Sequence, residues 1–219
     1  MKKMILILMG LLVLLAGKIY AYDDGDFQVW NTETEEFKVN KNLKVALEEE
    51  FRWGGDAHEF YYQHYDLGLS YMMNKYWSFG GGYRQVYELS KNKFKLENEP
   101  YVTATLTLTS AGFIFDSRNR FEYRHFDYKD DSGRYRNKFT LKYPLQLGKI
   151  GIQPFLSDEI FFGFGGTNQF NQNRLSSGLG INLTKNIKAE VYYMLVTTKS
   201  SAKVWSDSNV LGTKLKIAF

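Results

Sequence analysis

The chain contains no cysteine, which excludes an N-terminal cysteine carrying lipid, disulfide staples and thiolate metal sites together. Packing and hydrogen bonding must hold the fold. No apolar run reaches membrane-crossing length: Ile5 to Ala16 spans about a dozen residues where a transmembrane helix needs ~20. A mean hydropathy of -0.38 likewise excludes a bundle of several transmembrane helices. The mature chain has no helix-period segment of useful length. Histidine is scarce, with three residues in 219.

What is present begins with a leader. Lys2 and Lys3 form a positive n-region, Ile5 to Ala16 an apolar h-region, and Ile19-Tyr20-Ala21 a cleavage site ending in a small residue. Residues 1–21 are thus predicted to be a signal peptide and 22–219 the mature domain. Losing Lys2, Lys3 and Lys18 leaves 25 basic side chains against 24 acidic ones, a net charge near +1 that predicts no nucleic-acid partner. Aromatic residues make up 17% of the chain, high for a soluble domain.

Roughly ten runs of period two fill the mature chain. Short breaks fall at Asn40 to Asn42, Asn74 to Tyr76, Thr109 to Gly112, Gly148 to Gly151 and Thr184 to Asn186; longer ones fall at Gly54 to Ala57, Ser90 to Pro100, Tyr128 to Gly133, Gly165 to Asn171 and Thr198 to Ser208. This alternation predicts an all-β, antiparallel up-and-down transmembrane β-barrel of about 10–12 strands, with short periplasmic turns and longer outer loops. Bacterial barrels have even strand counts, so ten or twelve is expected, depending on whether the weakly patterned Phe27 to Val39 joins.

Side-chain parity separates a membrane barrel, polar inside, from a soluble one, apolar inside. Leu43 to Trp53 sets Leu43, Val45, Leu47, Phe51 and Trp53, interrupted by Glu49, against Lys44, Glu48, Glu50 and Arg52. Gly112 to Phe126 sets Phe113, Phe115, Phe121 and Tyr123 against Asp116, Arg118, Arg120, Glu122 and Arg124. The next run opposes Tyr135, Phe139 and Leu141 to Arg136, Lys138 and Lys142. Such charged ladders cannot line a dry core, where each unpaired charge costs several kcal/mol. Trp53, Trp77, Tyr87, Tyr101, Tyr135 and Tyr143 fit interfacial girdles.

The inward set also takes in Arg84, Glu159, Arg174, Lys188, Lys214, Lys216, Asp66, Glu88 and Glu190, and its cations outnumber its acids. Two uses follow: a narrow pore for a small anionic solute, or a plugged barrel whose charges neutralise one another. The narrow lumen favours the second. The closing strand is expected to bring Lys214 and Lys216 beside Glu48 and Glu50. An enzyme acting on lipid or lipopolysaccharide is the alternative. His64 and Asp66 share one face, but no serine motif accompanies them. Ser117 and His125 are eight residues apart, ~26 Å along a strand. His58 and His125 read as rim residues, and Lys129 to Gly133 as a solvated hairpin tip rather than a calcium loop. No enzymatic activity, metal or cofactor is expected.

Trp30, Glu48 to Arg52, Gly82-Tyr83-Arg84, Arg118 to Arg124, Ser157 to Phe161 and Gln172-Asn173-Arg174 resemble, in that order, a domain-of-unknown-function family of outer-membrane β-barrel proteins. The resemblance spans essentially the whole mature chain and implies a fold and a location, with no activity. The alternating Leu215, Ile217 and Phe219 look like the C-terminal signal read by barrel-assembly machinery. The expected surroundings are outer-membrane lipid and lipopolysaccharide.

Overall fold

A computed structural model of the protein describes residues 25–147, 150–165, 168–199 and 204–219; the leader read at 1–21 lies outside them. All regular structure among the described residues is strand: β1 (Asp26–Lys38), β2 (Leu43–Gly54), β3 (Glu59–Met72), β4 (Trp77–Ser90), β5 (Lys93–Ser110), β6 (Phe113–Phe126), β7 (Ser132–Lys142), β8 (Leu145–Leu147), β9 (Ile150–Phe164), β10 (Gln169–Asn182), β11 (Ile187–Lys199) and β12 (Trp205–Ala218). Every strand except β7 and β8 pairs with the strands before and after it in sequence, and β1 closes on β12. β8 prolongs β7 beyond Pro144, which has no N–H to give the ladder, and both pair with β9. The closed barrel therefore has eleven strands, with β8 as an extra piece.

Eleven is an odd number, and the reason is β1. The run polar on both faces forms a full strand, antiparallel to β2 and parallel to β12, from Asp26 opposite Ser208 to Glu36 opposite Ala218. An odd count forces one parallel contact, because an up-and-down chain then enters and leaves in the same direction. The seam consequently differs from the expected pairing: β12 lies beside β1, with β2 one strand further on.

The short breaks read at Asn40 to Asn42, Asn74 to Tyr76, Thr109 to Gly112 and Thr184 to Asn186 coincide with tight turns, whereas the longer breaks overlap strands. Ser90 to Pro100 is not a loop: β4 and β5 join through Lys91 and Asn92 alone, at φ 51° and 60°. Two consecutive positive φ values are what a type I′ hairpin requires. Pro100 then lies within β5, opposite Tyr83, and the β5–β6 ladder lapses at Glu99 and Pro100.

The outside of the wall is largely apolar: Leu47, Leu67, Leu69, Val102, Phe121, Leu175 and Val191 are exposed there. Inside, Trp30, Met194, Val196 and Val210 form a buried cluster under β11, β12 and β1. Tyr192 packs against it, and a Cβ on Gly212 would come within 2.0 Å of that ring. Tyr101 corrects the girdle reading. Its ring lies inside the barrel over Gly82, where a Cβ would stand 2.4 Å from the phenol oxygen.

Candidate functional site

Period-two alternation turns one side chain in two toward the axis, and all fifteen predicted lumen residues lie on that inner parity. Glu50, Arg52, Arg84, Arg120, Glu122, Arg136 and Glu159 are buried; Glu48, Arg118, Arg124, Lys138, Lys142, Arg174, Lys214 and Lys216 are partly buried.

The middle of the lumen is filled by stacked rings and guanidinium groups. Arg52 is sandwiched between Trp30 and Tyr62, its Cζ 3.7 and 3.8 Å from their ring centroids. Glu50 holds it at 2.5 Å and accepts a hydrogen bond from Thr32. Across the barrel, Arg136 and Arg174 stand 4.7 and 4.6 Å from the Phe161 ring. Arg136 also joins Glu159 at 2.8 Å and Glu122 at 2.9 Å. Glu122, on the next strand, is shared with Arg120 and Arg134.

A second group binds distant strands together. Asp66 takes Arg84 at 2.9 Å and the Tyr101 hydroxyl at 2.6 Å, with Arg120 at 3.7 Å. Arg84 continues to Glu48 at 3.4 Å, and Glu48 receives Lys214 at 2.9 Å. Lys216 meets Glu36 at 2.7 Å, where Glu50 was expected. Lys142 meets Asp116 at 2.6 Å.

Two chambers lie on either side of this layer. One, of about 230 Å³, lies on the loop side and includes Glu97, Glu99, Arg124 and Arg134 in its wall. The other, of about 530 Å³, lies toward the tight turns and includes Lys138, Lys142, Ser176, Lys188 and Lys214. Arg52, Arg84, Arg136 and Arg174 border both.

Several of these residues were not legible in advance. Glu97 and Glu99, which pair with Arg124 and Arg134, fall in the stretch read as a loop because of Pro100. The alternation Lys95, Glu97, Glu99 against Leu96, Asn98, Pro100 was the available signal. Glu36 lies on the strand judged weak. With these three carboxylates and Arg134 added, the balance of charge is more even than the sequence reading had it.

The residues weighed for catalysis go elsewhere. His64 is 1% exposed and faces Glu48 at 3.5 Å, Glu50 at 3.8 Å and the Tyr62 hydroxyl at 3.2 Å. Asp66 turns to Arg84 and Tyr101 instead. The threonine hydroxyls of β1 are taken up by the same carboxylates, Thr32 donating to Glu50 and Thr34 to Glu48. His125 sits at the rim against Asp131, 3.0 Å away.

The profile of a family described as "Protein of unknown function (DUF2490)" matches residues 27–207. The chain belongs to the DUF2490 family. The match agrees with the resemblance read from the motifs, and the family's description assigns no activity and no location. No curated protein matches the chain. For this DUF2490 protein, location and role rest on the chemistry of the two faces of its barrel.

Proposed function

We propose that this protein is a bacterial outer-membrane β-barrel, exported by its leader, whose lumen is closed by its own side chains and which has no enzymatic activity. Support for the membrane comes from the distribution of polarity. Charged networks fill the interior, and Leu, Val, Phe and Tyr dominate the exposed wall, the order a transmembrane barrel requires. Strands of 11 to 18 residues are long enough, since ~9–11 tilted residues cross a bilayer. The terminal strand, with Leu215, Ile217 and Phe219 on its outer side, is the segment that assembly machinery would read.

One observation carries the closed lumen: the Trp30–Arg52–Tyr62 stack faces Arg174, Phe161 and Arg136 between the two chambers. An open pore would leave these groups solvated, whereas each guanidinium here stacks on a ring. The reading without enzymatic activity draws on His64, which among the described residues contacts two carboxylates and a phenol, while the Thr32 and Thr34 hydroxyls donate to those same carboxylates.

The test is electrophoretic and electrical. The purified protein should require detergent, run fast on a gel unless boiled, and leave a planar bilayer silent. A chain that stays soluble without detergent rejects the membrane reading; steady conductance rejects the closed lumen. Hydrolysis of phospholipid or lipid A that is lost on His64→Ala rejects the non-enzymatic reading.

A further inference from the structure

The chamber on the tight-turn side has a wall that a purely structural network would not choose. Four inward residues stand side by side on four consecutive barrel strands. Arg118 is opposite Lys138, Lys138 opposite Glu159, and Glu159 opposite Arg174. Three cations thus share one carboxylate in a single row. Like charges directly opposite one another on a sheet are destabilising, so the Arg118–Lys138 pair costs the fold stability.

The single acid does not neutralise them. The contacts of Glu159 are made through Oε1, with Arg136 at 2.8 Å and Arg118 at 3.3 Å. Among the described residues, Lys138 forms no ion pair or hydrogen bond, and the buried Nε of Arg174 has no hydrogen-bond partner. The next inward residues on β7, β9 and β10 are the short Thr140, Ser157 and Ser176, opposite one another in one row. Lys138, Arg174 and Ser176 line the chamber of about 530 Å³, together with Arg118, Phe155 and Glu190. Ser157 and Ser176 share one hydrogen bond of 2.7 Å, leaving a further hydroxyl valence in the wall.

We propose that this chamber is a binding site for a small multivalent oxyanion of the phosphate type, held by Lys138, Arg174 and Arg118, with the Ser176 hydroxyl as an additional donor. Charge-assisted bonds from guanidinium and ammonium to such an anion are the strong class of hydrogen bond. They would also relieve the repulsion between Arg118 and Lys138. The proposal rests on the closed lumen only for the blind end of the chamber; a lumen open to the far side would keep the same ligands.

The experiment is calorimetric titration of the full chain, folded in detergent, with inorganic phosphate at constant ionic strength set by sodium chloride. One saturable site is expected, with the affinity of Lys138→Met and of Arg174→Met weakened tenfold or more. Lys138→Arg, which keeps the charge, should retain binding, and Lys91→Met at a hairpin tip should be unaffected. Fast gel mobility before boiling verifies that each variant is folded. If a methionine variant fails to fold, the wild type decides by itself: phosphate should raise its unfolding temperature at constant ionic strength, as a ligand of the folded state does. The proposal is overturned if the wild type shows no saturable phosphate site, if chloride competes on equal terms, or if folded Lys138→Met and Arg174→Met bind as the wild type does. Failure of the closed lumen would show as conductance, a separate readout.

Discussion

Lys214 on the last strand reaches Glu48 on the second across the full width of the first, Nζ to Oε2 at 2.9 Å. The intervening residues explain the reach. Lys214 is opposite Thr32, and Glu48 is opposite Thr34; neither threonine is tall enough to separate the charges. Thr34 also donates to the same Glu48 oxygen. One carboxylate therefore ties β12, β1 and β2 together at the parallel seam.

Removing one end of this contact should loosen the seam. Lys214→Met leaves Glu48 with Arg84, His64 and the Thr34 hydroxyl, and loss of one partner of a partly buried charged hydrogen bond costs about 1–3 kcal/mol. The temperature at which the fast gel form converts to the slow one should fall. The swapped pair, Lys214→Glu with Glu48→Lys, should recover less than a simple exchange would, because Arg84 then faces a lysine. Full recovery would mean that Arg84 contributes nothing at this corner.

The central stack makes an electrical prediction. Trp30 is 4% exposed and Arg52 8%, and together with Tyr62 they fill one side of the layer between the chambers. Trp30→Ala removes the ring on which both Arg52 and Arg174 rest. Joining the two chambers should turn a silent bilayer record into a conducting one. The double variant Trp30→Ala with Arg52→Ala should conduct more, and with its cations still in the wall it should favour anions. Silence from a folded double variant would place the barrier elsewhere in the lumen.

The parts of this architecture that could be read in advance follow from how local each signal is. Parity inside β2, β6 and β7 is local: Glu48, Glu50 and Arg52, or Arg118, Arg120 and Glu122, declare their face by the apolar residues between them. β1 reverses the code, since its inward residues include the small Thr32 and Thr34 while Glu33 and Glu35 point out. Nothing in Phe27 to Val39 therefore advertised a full strand. Partnership across the lumen is not local. Which carboxylate Lys216 meets depends on whether β1 or β2 lies beside β12, and that is decided by closure of the whole sheet. The two chambers likewise depend on the row Trp30, Arg52 and Tyr62, direct neighbours on β1, β2 and β3, meeting Arg174 and Phe161 from the other side of the lumen.

At the rim, Asp131 supplies a pH-dependent clasp. It accepts from the Tyr123 hydroxyl at 2.5 Å, from His125 at 3.0 Å and from the Phe126 amide at 3.1 Å. These bonds, led by that from Tyr123, hold its carboxyl down to about 2, against about 3.9 in an unfolded chain. A depressed acid stabilises the loop above the unfolded value and loses that contribution as pH falls through the folded one. The β6–β7 loop should keep its order at pH 5 and lose it between about pH 4 and pH 2. Protection of the Phe126 amide against hydrogen exchange measures this, and Asp131→Asn should remove the step. Absence of any step above pH 2, or protection in Asp131→Asn equal to that of the wild type, would show that the clasp does not form.

Three carboxylates on the outer wall provide the sharpest test of where the barrel sits. Glu33, Glu35 and Glu49 face outward beside the apolar Leu47, Leu67, Leu215 and Ile217, around a shallow groove. Glu33 and Glu49 are directly opposite one another on β1 and β2. Among the described residues none of the three has an ion-pair or hydrogen-bond partner. In water the groups would be nearly neutral for stability, whereas against hydrocarbon each charged side chain costs on the order of 1 kcal/mol or more, less than the ~2–4 of a lysine or arginine at the midplane. Glu33→Leu, Glu35→Leu and Glu49→Leu together should therefore raise the unfolding temperature in lipid bilayers, and more so than in detergent micelles, which let water approach the wall. If this face meets water or a basic partner instead, the triple variant will be no more stable than the wild type in bilayers, and its new leucines will make it prone to association.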